Sequence, residues 1–306
     1  MLVINQSFAN EMQKQAFVNE CEFKFSQTMD ALTDAITAKP EERIITLSGP
    51  TCSGKTVTAA NISRAVTRAG RRMCRISIDD YFRDRDALIA EAEAEGRSPD
   101  YDSVRAIDLC ELERTVDAIY ANELTRLPRY DFKTGKRIGY ESLDPKLCDV
   151  VLFEGIQAAY PEVTELFGHY PYVSIATNVR SGISVCGQSF DKKEIRLMRR
   201  LVRDVRERNT PPETTFRLWE TTVTPNEDKN ILPYEHTAQI KIDSLMPYEI
   251  NVIRDHLLAT LAQMPHDSEY YPRAESLIRR VTPIEPIDGK YIPRDSLYRE
   301  FIGAND

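Results

Sequence analysis

Histidine and tryptophan are scarce in this chain of 306 residues, which carries four histidines, at positions 169, 236, 256 and 266, and a single Trp219. The histidines lack the spacing of a metal site, so no histidine-built metal centre is expected. The six cysteines (21, 52, 74, 110, 148 and 186) form no CxxC and no paired Cys/His motif, which argues against zinc and for buried, reduced thiols. No apolar run reaches 18 residues, and the opening MLVINQSFANEMQK has neither a positive segment nor a continuous apolar stretch. The expectation is therefore a cytoplasmic protein without a membrane span. Positive charge is also short: 40 Lys and Arg against 48 Asp and Glu give a net charge of −8. That balance argues against a nucleic-acid partner held by bulk charge, while a local basic patch stays free to bind phosphate. The pairs Asn-Lys and Thr-Lys are absent, which counts against the [NT]KxD signature of guanine-nucleotide switches. There is no internal repeat and no low-complexity segment.

What is present falls into three zones. Residues 1–42 are polar with apolar residues at helical spacing (Phe17, Cys21, Phe25, Met29, Leu32, Ile36), which predicts an N-terminal helical extension ending at AKPEE. From Arg43 onward, β-branched runs (RIITLS, CRISI, DVVLFE, YVSIAT, AQIKI) alternate with helical stretches. Such alternation predicts parallel strands joined by crossover helices, hence an α/β doubly wound sheet over 43–264. Residues 265–306, rich in Pro and Tyr, read as a tail packed on that domain.

The segment TLSGPTCSGKT places Gly49-x4-Gly54-Lys55-Thr56 between a predicted strand and a predicted helix. This is the P-loop spacing. Its glycines let backbone N–H groups turn toward phosphates, and the helix N-terminus adds a positive dipole end. Lys55 reaches the β- and γ-phosphates and the Thr56 hydroxyl ligates Mg²⁺. The cofactor-binding set is thus Gly49, Thr51, Cys52, Ser53, Gly54, Lys55 and Thr56, with ATP and Mg²⁺ as cofactors. Downstream, RISIDDYF ends a strand in Asp79 and Asp80. Ligands gather at the carboxyl ends of strands in an open α/β sheet, so a carboxylate there can take a proton from an attacking hydroxyl or hold Mg²⁺. Capping of the next helix is the plainer alternative. Likewise DVVLFEG delivers Glu154 to the same edge as a metal-side residue, or as an ordinary strand-end carboxylate.

The stretch KKEIRLMRRLVRDVRER packs Arg196, Arg199, Arg200, Arg203, Arg206 and Arg208 into one amphipathic helix with Ile195, Met198, Leu201, Val202 and Val205 as its buried stripe. Arginines on a closing flap stabilise charge on a transferring phosphoryl group. A solvated face laced by Asp191, Glu194, Asp204 and Glu207 is the alternative.

GPTCSGKT, SIDDYF, DYDSVRAIDLCEL, PRYDFKTGKR, VVLFEGIQA and RRLVRDVRER occur in the order found in the uridine kinase/phosphoribulokinase superfamily of P-loop kinases, which residues from about Arg43 to Met264 resemble. The ending YIPRDSLYREFIG is similar to the tail of longer bacterial uridine-kinase-like proteins. The resemblance implies a P-loop fold with a helical lid and an ATP-dependent kinase of a small-molecule acceptor, with phosphorylation of a nucleoside 5′-hydroxyl first. In that scheme Asp79 is the base, helped by Lys55, Arg200 and Arg203 in catalysis. Asp102 binds the ribose hydroxyls, Tyr130 packs on the base with Arg137 nearby, Arg200, Arg203 and Arg208 reach ATP and the transferring phosphoryl, Asp79 and Arg203 also meet the acceptor, and Thr56 and Glu154 serve the metal. It also implies a homo-oligomer, and residues 12–36 either form its interface or pack on their own core.

Three motifs depart from the family pattern. Gly135 stands where pyrimidine nucleoside kinases place a base-reading histidine, Ser103-Val104 follows Asp102, and Asn209-Thr210 closes the lid motif. The transfer machinery is kept and the acceptor pocket is altered, because a site without its polar reader discriminates poorly among bases. A non-nucleoside alcohol (sugar phosphate or pantothenate-like), a purine nucleoside, or a nucleotide-binding regulator without transfer activity remain as rivals.

Overall fold

The central strand β2 (Ile44–Ser48) is buried along its whole length, as a strand covered on both faces must be. The computed structural model describes residues 1–4, 7–38, 42–101 and 103–303. In it β2 lies in a five-stranded sheet with β3 (Met73–Ser77), β6 (Val150–Glu154), β7 (Tyr172–Asn178) and β10 (Ile240–Asp243), in the order β10-β7-β2-β6-β3. Every pairing in that sheet is parallel. The chain leaves β2 toward β3 on one side and later returns to place β7 on the other. The carboxyl end of β2 is therefore a switch point, the place where open α/β sheets bind ligands.

Two smaller sheets had no counterpart in the sequence reading. An antiparallel hairpin joins β4 (Thr125–Asp131) to β5 (Lys136–Leu143), with an irregularity at Arg129/Tyr130. The three-stranded sheet has β1 (Leu2–Ile4) parallel to β8 (Ile183–Val185), which turns back into β9 (Gln188–Phe190).

Helices cover both faces of the main sheet. On one side lie α2 (Lys55–Arg68) and the second half of α1 (Glu11–Thr37), whose Met29, Leu32 and Ile36 bury against Ile45, Leu47 and Ile175. The opposite side is filled by α4 (Leu109–Ala121) and α5 (Pro161–Gly168) around Phe153 and Phe167. Between β3 and α4 runs α3 (Arg85–Ala94). The first half of α1, with Val18 and Cys21, enters a separate helical core. The apolar stripe of α1 is thus used on the chain's own interior. Among the described residues, no helix is long and apolar enough to cross a membrane.

That helical core is built on α6 (Lys192–Arg208), α9 (Glu249–Leu261) and α10 (Tyr271–Val281). Between α6 and β10, α7 (Pro212–Leu218) runs through π-helical turns at Trp219–Val223 and Glu227–Ile231 that flank α8 (Thr224–Asn226). Wide turns of this kind concentrate at functional sites. The chain closes with α11 (Arg299–Ile302). Around it Leu297, Tyr298, Phe301 and Ile302 are fully buried in the helical core. Each such side chain contributes about 1.5–3 kcal/mol on leaving water.

The expectation of six reduced thiols is corrected. Cys74 on β3 and Cys148 just before β6 lie on neighbouring parallel strands, 5.7 Å apart at Cα, and are joined by a disulfide. Sequence spacing misses the pair because 74 residues separate its halves while sheet pairing brings them together. Of the rest, Cys21 and Cys52 are buried and Cys110 and Cys186 exposed. Burial pushes the Cys21 thiol up to about 12, so it stays protonated through neutral and mildly alkaline solution. Thiol titration of the unreduced protein should therefore count two reactive groups in the native state and four after denaturation. Six after denaturation would contradict the disulfide.

Candidate active site

The turn after β2 is shaped by close approach. Gly49 has φ +155°, and a Cβ on it would collide with the Thr177 carbonyl oxygen and lie 2.7 Å from Ser53 Oγ. Only glycine fits there. The chain then enters α2 directly at Lys55, with Gly54 at φ +83° as its N-cap. Lys55 Nζ donates to Gly49 O at 2.6 Å and Pro50 O at 3.1 Å.

Two arginines of α6 bind the turn from behind. Arg196 Nη1 donates to Thr51 O at 3.1 Å and Arg199 Nη1 to Cys52 O at 3.2 Å. Both side chains are essentially inaccessible, at 1% and 0% exposure, so each charge needs a partner. Arg196 is held bidentately by Glu227 at 2.6 and 2.6 Å, and Arg199 by Glu249 at 2.7 and 3.0 Å, with a further bond from Arg199 to Ser244 O at 2.8 Å. The planar fork of arginine suits such double contacts. These two arginines accordingly do not belong to a solvated charged face.

In front of the turn is a cavity of about 370 Å³. Thr51, Cys52, Ser53, Gly54, Lys55 and Thr56 form its floor and Asp79 one wall. Arg200, Arg203 and Arg208 of α6 line it as well, as do Thr222, Val223, Asn226 and Glu227 from the π-helical region. The three arginines converge on one buried carboxylate: Asp204 receives Arg200 Nε at 3.1 Å, Arg203 Nη2 at 3.0 Å and Arg208 Nη1 at 3.4 Å. Burial pulls the Lys55 ammonium below its ordinary value, opposed by the nearby carboxylates of Asp79, Glu300 and Glu154.

Asp79 and Asp80 do not cap α3, whose N-cap is Asp84. Asp79 Oδ1 instead accepts from Gln157 Nε2 at 2.8 Å, and Asp80 Oδ1 accepts from Tyr130 N at 3.0 Å. Glu154 is at the end of β6 but is not among the cavity's lining residues, and its carboxylate is taken by Arg75, whose Nε is at 2.8 Å. Tyr130 and Arg137 also lie outside the lining, on the β4–β5 hairpin. Tyr130 packs with Phe82 and Phe132, at ring separations of 5.6 and 5.0 Å. Arg137 donates to Asp108 at 3.2 Å and Tyr140 at 3.0 Å. Asp102 lies outside the described residues.

Gly135 has φ +71°, and a Cβ there would fall 2.7 Å from Arg85 Nε and 2.9 Å from Arg85 Cβ. Arg85 fills the space a side chain at 135 would need, and its Nη2 donates to Phe132 O at 2.8 Å. Sequence reasoning missed Gln157, Asp204, Glu300 and the bracing role of Arg196 and Arg199. Gln157 did lie within a motif-bearing stretch, VVLFEGIQA, and Glu300 within YIPRDSLYREFIG.

A parallel sheet with a phosphate turn at its switch point, an acidic strand end and an arginine helix across one cavity is the architecture of a P-loop kinase. The chain belongs to the phosphoribulokinase/uridine kinase family, whose model matches residues 44–251. It is 28% identical over 217 residues to a uridine kinase of Ureaplasma urealyticum, covering 70% of this chain and 93% of that one. It is 27% identical over 199 residues to the Arabidopsis thaliana inorganic pyrophosphatase TTM2, covering 65% of this chain and 25% of that longer protein. A crystal structure from Silicibacter sp. TM1040, labelled a fructose transport system kinase, superposes with a TM-score of 0.50 at 19% identity, over 70% of this chain and 97% of that one. That likeness shows the fold.

Family membership implies ATP, and the floor of the cavity fits its phosphates. Among the described residues, no group of three or more His, Cys, Asp or Glu could hold a metal by itself.

The bracing pairs set a stability prediction. Glu249→Ala would strand the buried Arg199 charge and should lower the unfolding free energy by about 3–5 kcal/mol in denaturant titration. A loss below about 1 kcal/mol, the value of a surface pair, would contradict the bracing role.

Proposed function

We propose that this kinase transfers the γ-phosphoryl group of ATP to the 5′-hydroxyl of a nucleoside. The observation that carries this reading is that Lys55 of the phosphate turn and Asp79, just past the end of β3, line one cavity with Arg200, Arg203 and Arg208. Backbone N–H groups of residues 51–56 and Lys55 hold the phosphates. Thr56 would hold Mg²⁺, which would offset the negative charge of the phosphates, and Glu154 would serve the metal side on giving up its pair with Arg75. Asp79, oriented by Gln157, accepts the proton of the attacking hydroxyl. Arg200 and Arg203 stabilise charge spreading onto the transferring oxygens, and Arg208 binds the nucleotide from the lid end. Positioning and electrostatics supply most of the acceleration in such transfers. On the acceptor side Asp102 takes the ribose hydroxyls and Tyr130, set by its aromatic neighbours and by Asp80, packs on the base. Arg137 acts from the next strand, through Asp108 and Tyr140.

One observation favours a second reading. With Gly135 covered by Arg85, the base-reading position carries a cation on a neighbouring helix in place of a histidine. An acceptor with its own anionic group, such as a sugar phosphate, suits that cation better than a neutral pyrimidine does. A regulator without transfer activity fits poorly, since Lys55, Asp79 and three arginines share the cavity.

An acceptor screen following ADP release decides between the first two, with nucleosides expected to give the strongest signal and a response to anionic sugars alone overturning the first. Lys55→Ala and Asp79→Asn should each lower kcat by at least ~10²-fold. A near wild-type rate for Asp79→Asn would remove it as the base.

A further inference from the structure

The family-matched region ends at residue 251, yet the phosphate turn is also packed by residues from the far end of the chain. A Cβ at Gly54 would lie 2.7 Å from Leu297 Cδ1, so Leu297 rests directly on the N-terminus of α2. The segment is anchored to the lid helix as well. The Arg199 guanidinium sits 4.8 Å from the Phe301 ring and 5.8 Å from the Tyr298 ring, and Tyr298 donates its hydroxyl to Glu249 O at 3.0 Å. The same arginine that braces the turn therefore holds α11 in place.

From this anchored helix one side chain enters the cavity, and it is a carboxylate. Glu300 lines the same space as Lys55, Asp79 and Arg203. Its Oε1 is 3.8 Å from Arg203 Nη1, and its Oε2 is buried without a hydrogen-bond partner. Burial lifts the Glu300 carboxyl above its usual value, and Arg203 and Lys55 pull the other way. A fold that only needed to seal the turn could do so with an apolar residue, as it does with Leu297. An incompletely paired carboxylate among phosphate-binding cations has an electrostatic consequence: it competes with any polyanion for those cations.

We propose that Glu300 is an affinity-setting residue of the nucleotide site, in which the C-terminal helix places a fixed negative charge against Arg203 and Lys55 that the phosphates of the nucleotide must displace. The inference rests on the kinase reading above and assigns to residues outside the family-matched region a part in the same site. Its signature is graded by ligand charge. Neutralising Glu300 strengthens binding most for ATP, less for ADP, and not for adenosine, which has no phosphate to compete. A residue that served only the packing of α11 would move all three ligands together or none.

The test is calorimetric titration of the full-length protein with ATP, ADP and adenosine, comparing wild type with Glu300→Gln. The expected result is an ATP Kd lower by about tenfold, a smaller drop for ADP and no change for adenosine. Glu300→Ala repeats the neutralisation with a shorter side chain should the glutamine variant fold poorly, and circular dichroism checks both. An ATP Kd that is unchanged or raised overturns the inference while leaving the site reading intact, a rise meaning that Glu300 helps to hold the ligand. Absence of ATP and ADP binding by wild type overturns the nucleotide site itself and the inference with it.

Discussion

The shape of the phosphate turn depends on two charges that never reach solvent. Arg196 and Arg199 reach across from α6 to the carbonyls of Thr51 and Cys52, and each is neutralised by a glutamate from a different element. Both carbonyls are thereby held by guanidinium groups that do not line the cavity, and so are kept from presenting a negative dipole end to an anion there. Glu227 belongs to the π-helical stretch that lines the cavity and Glu249 to α9 of the helical core. The turn, the lid and the core are thereby one mechanical unit, and a change in any of them is felt at the phosphates.

A second consequence concerns charge. The chain is acidic overall, yet Arg200, Arg203 and Arg208 gather around one cavity with Lys55. Mutual repulsion among these cations is offset by Asp204, which sits behind all three arginines with only 3% of its side chain exposed. An acidic hub behind a basic face keeps the arginines pre-oriented, so less reorganisation accompanies the build-up of charge on a transferring phosphoryl group. Glu300 acts from the opposite direction, at the face where the ligand arrives.

Much of this architecture was legible in the chain itself. Buried parallel strands read as apolar β-branched runs, and Gly49, Gly54, Lys55 and Thr56 advertise their turn because few other residues satisfy its steric and electrostatic demands. The β4–β5 hairpin was not legible, since apart from Pro128 its residues are at most half-buried and they include arginine, lysine and glutamate in place of an apolar run. Long-range partners were hidden for a different reason. Arg199 with Glu249, Asp79 with Gln157, and Cys74 with Cys148 are separated by 50, 78 and 74 residues. The sheet brings the last two pairs together and the packing of α6 on α9 the first. The helical period of α6 picked out Ile195, Met198, Leu201 and Val202 but not the equally buried Arg196, Leu197, Arg199, Arg203 and Asp204, because an arginine on the buried side looks like an error until its carboxylate partner is known. Tyr130 and Arg137 were singled out by motif, and the fold sets them on a hairpin beside the cavity and outside its lining.

The central claim is that the phosphate turn and the tip of β3 face each other across a single transfer site. A crystal structure of the protein with a non-hydrolysable ATP analogue tests this most directly. The account predicts β- and γ-phosphates between Lys55 and Thr56, with the terminal phosphorus turned toward Asp79 and Arg203. A triphosphate bound elsewhere, or one whose terminal phosphorus points away from Asp79, would contradict it.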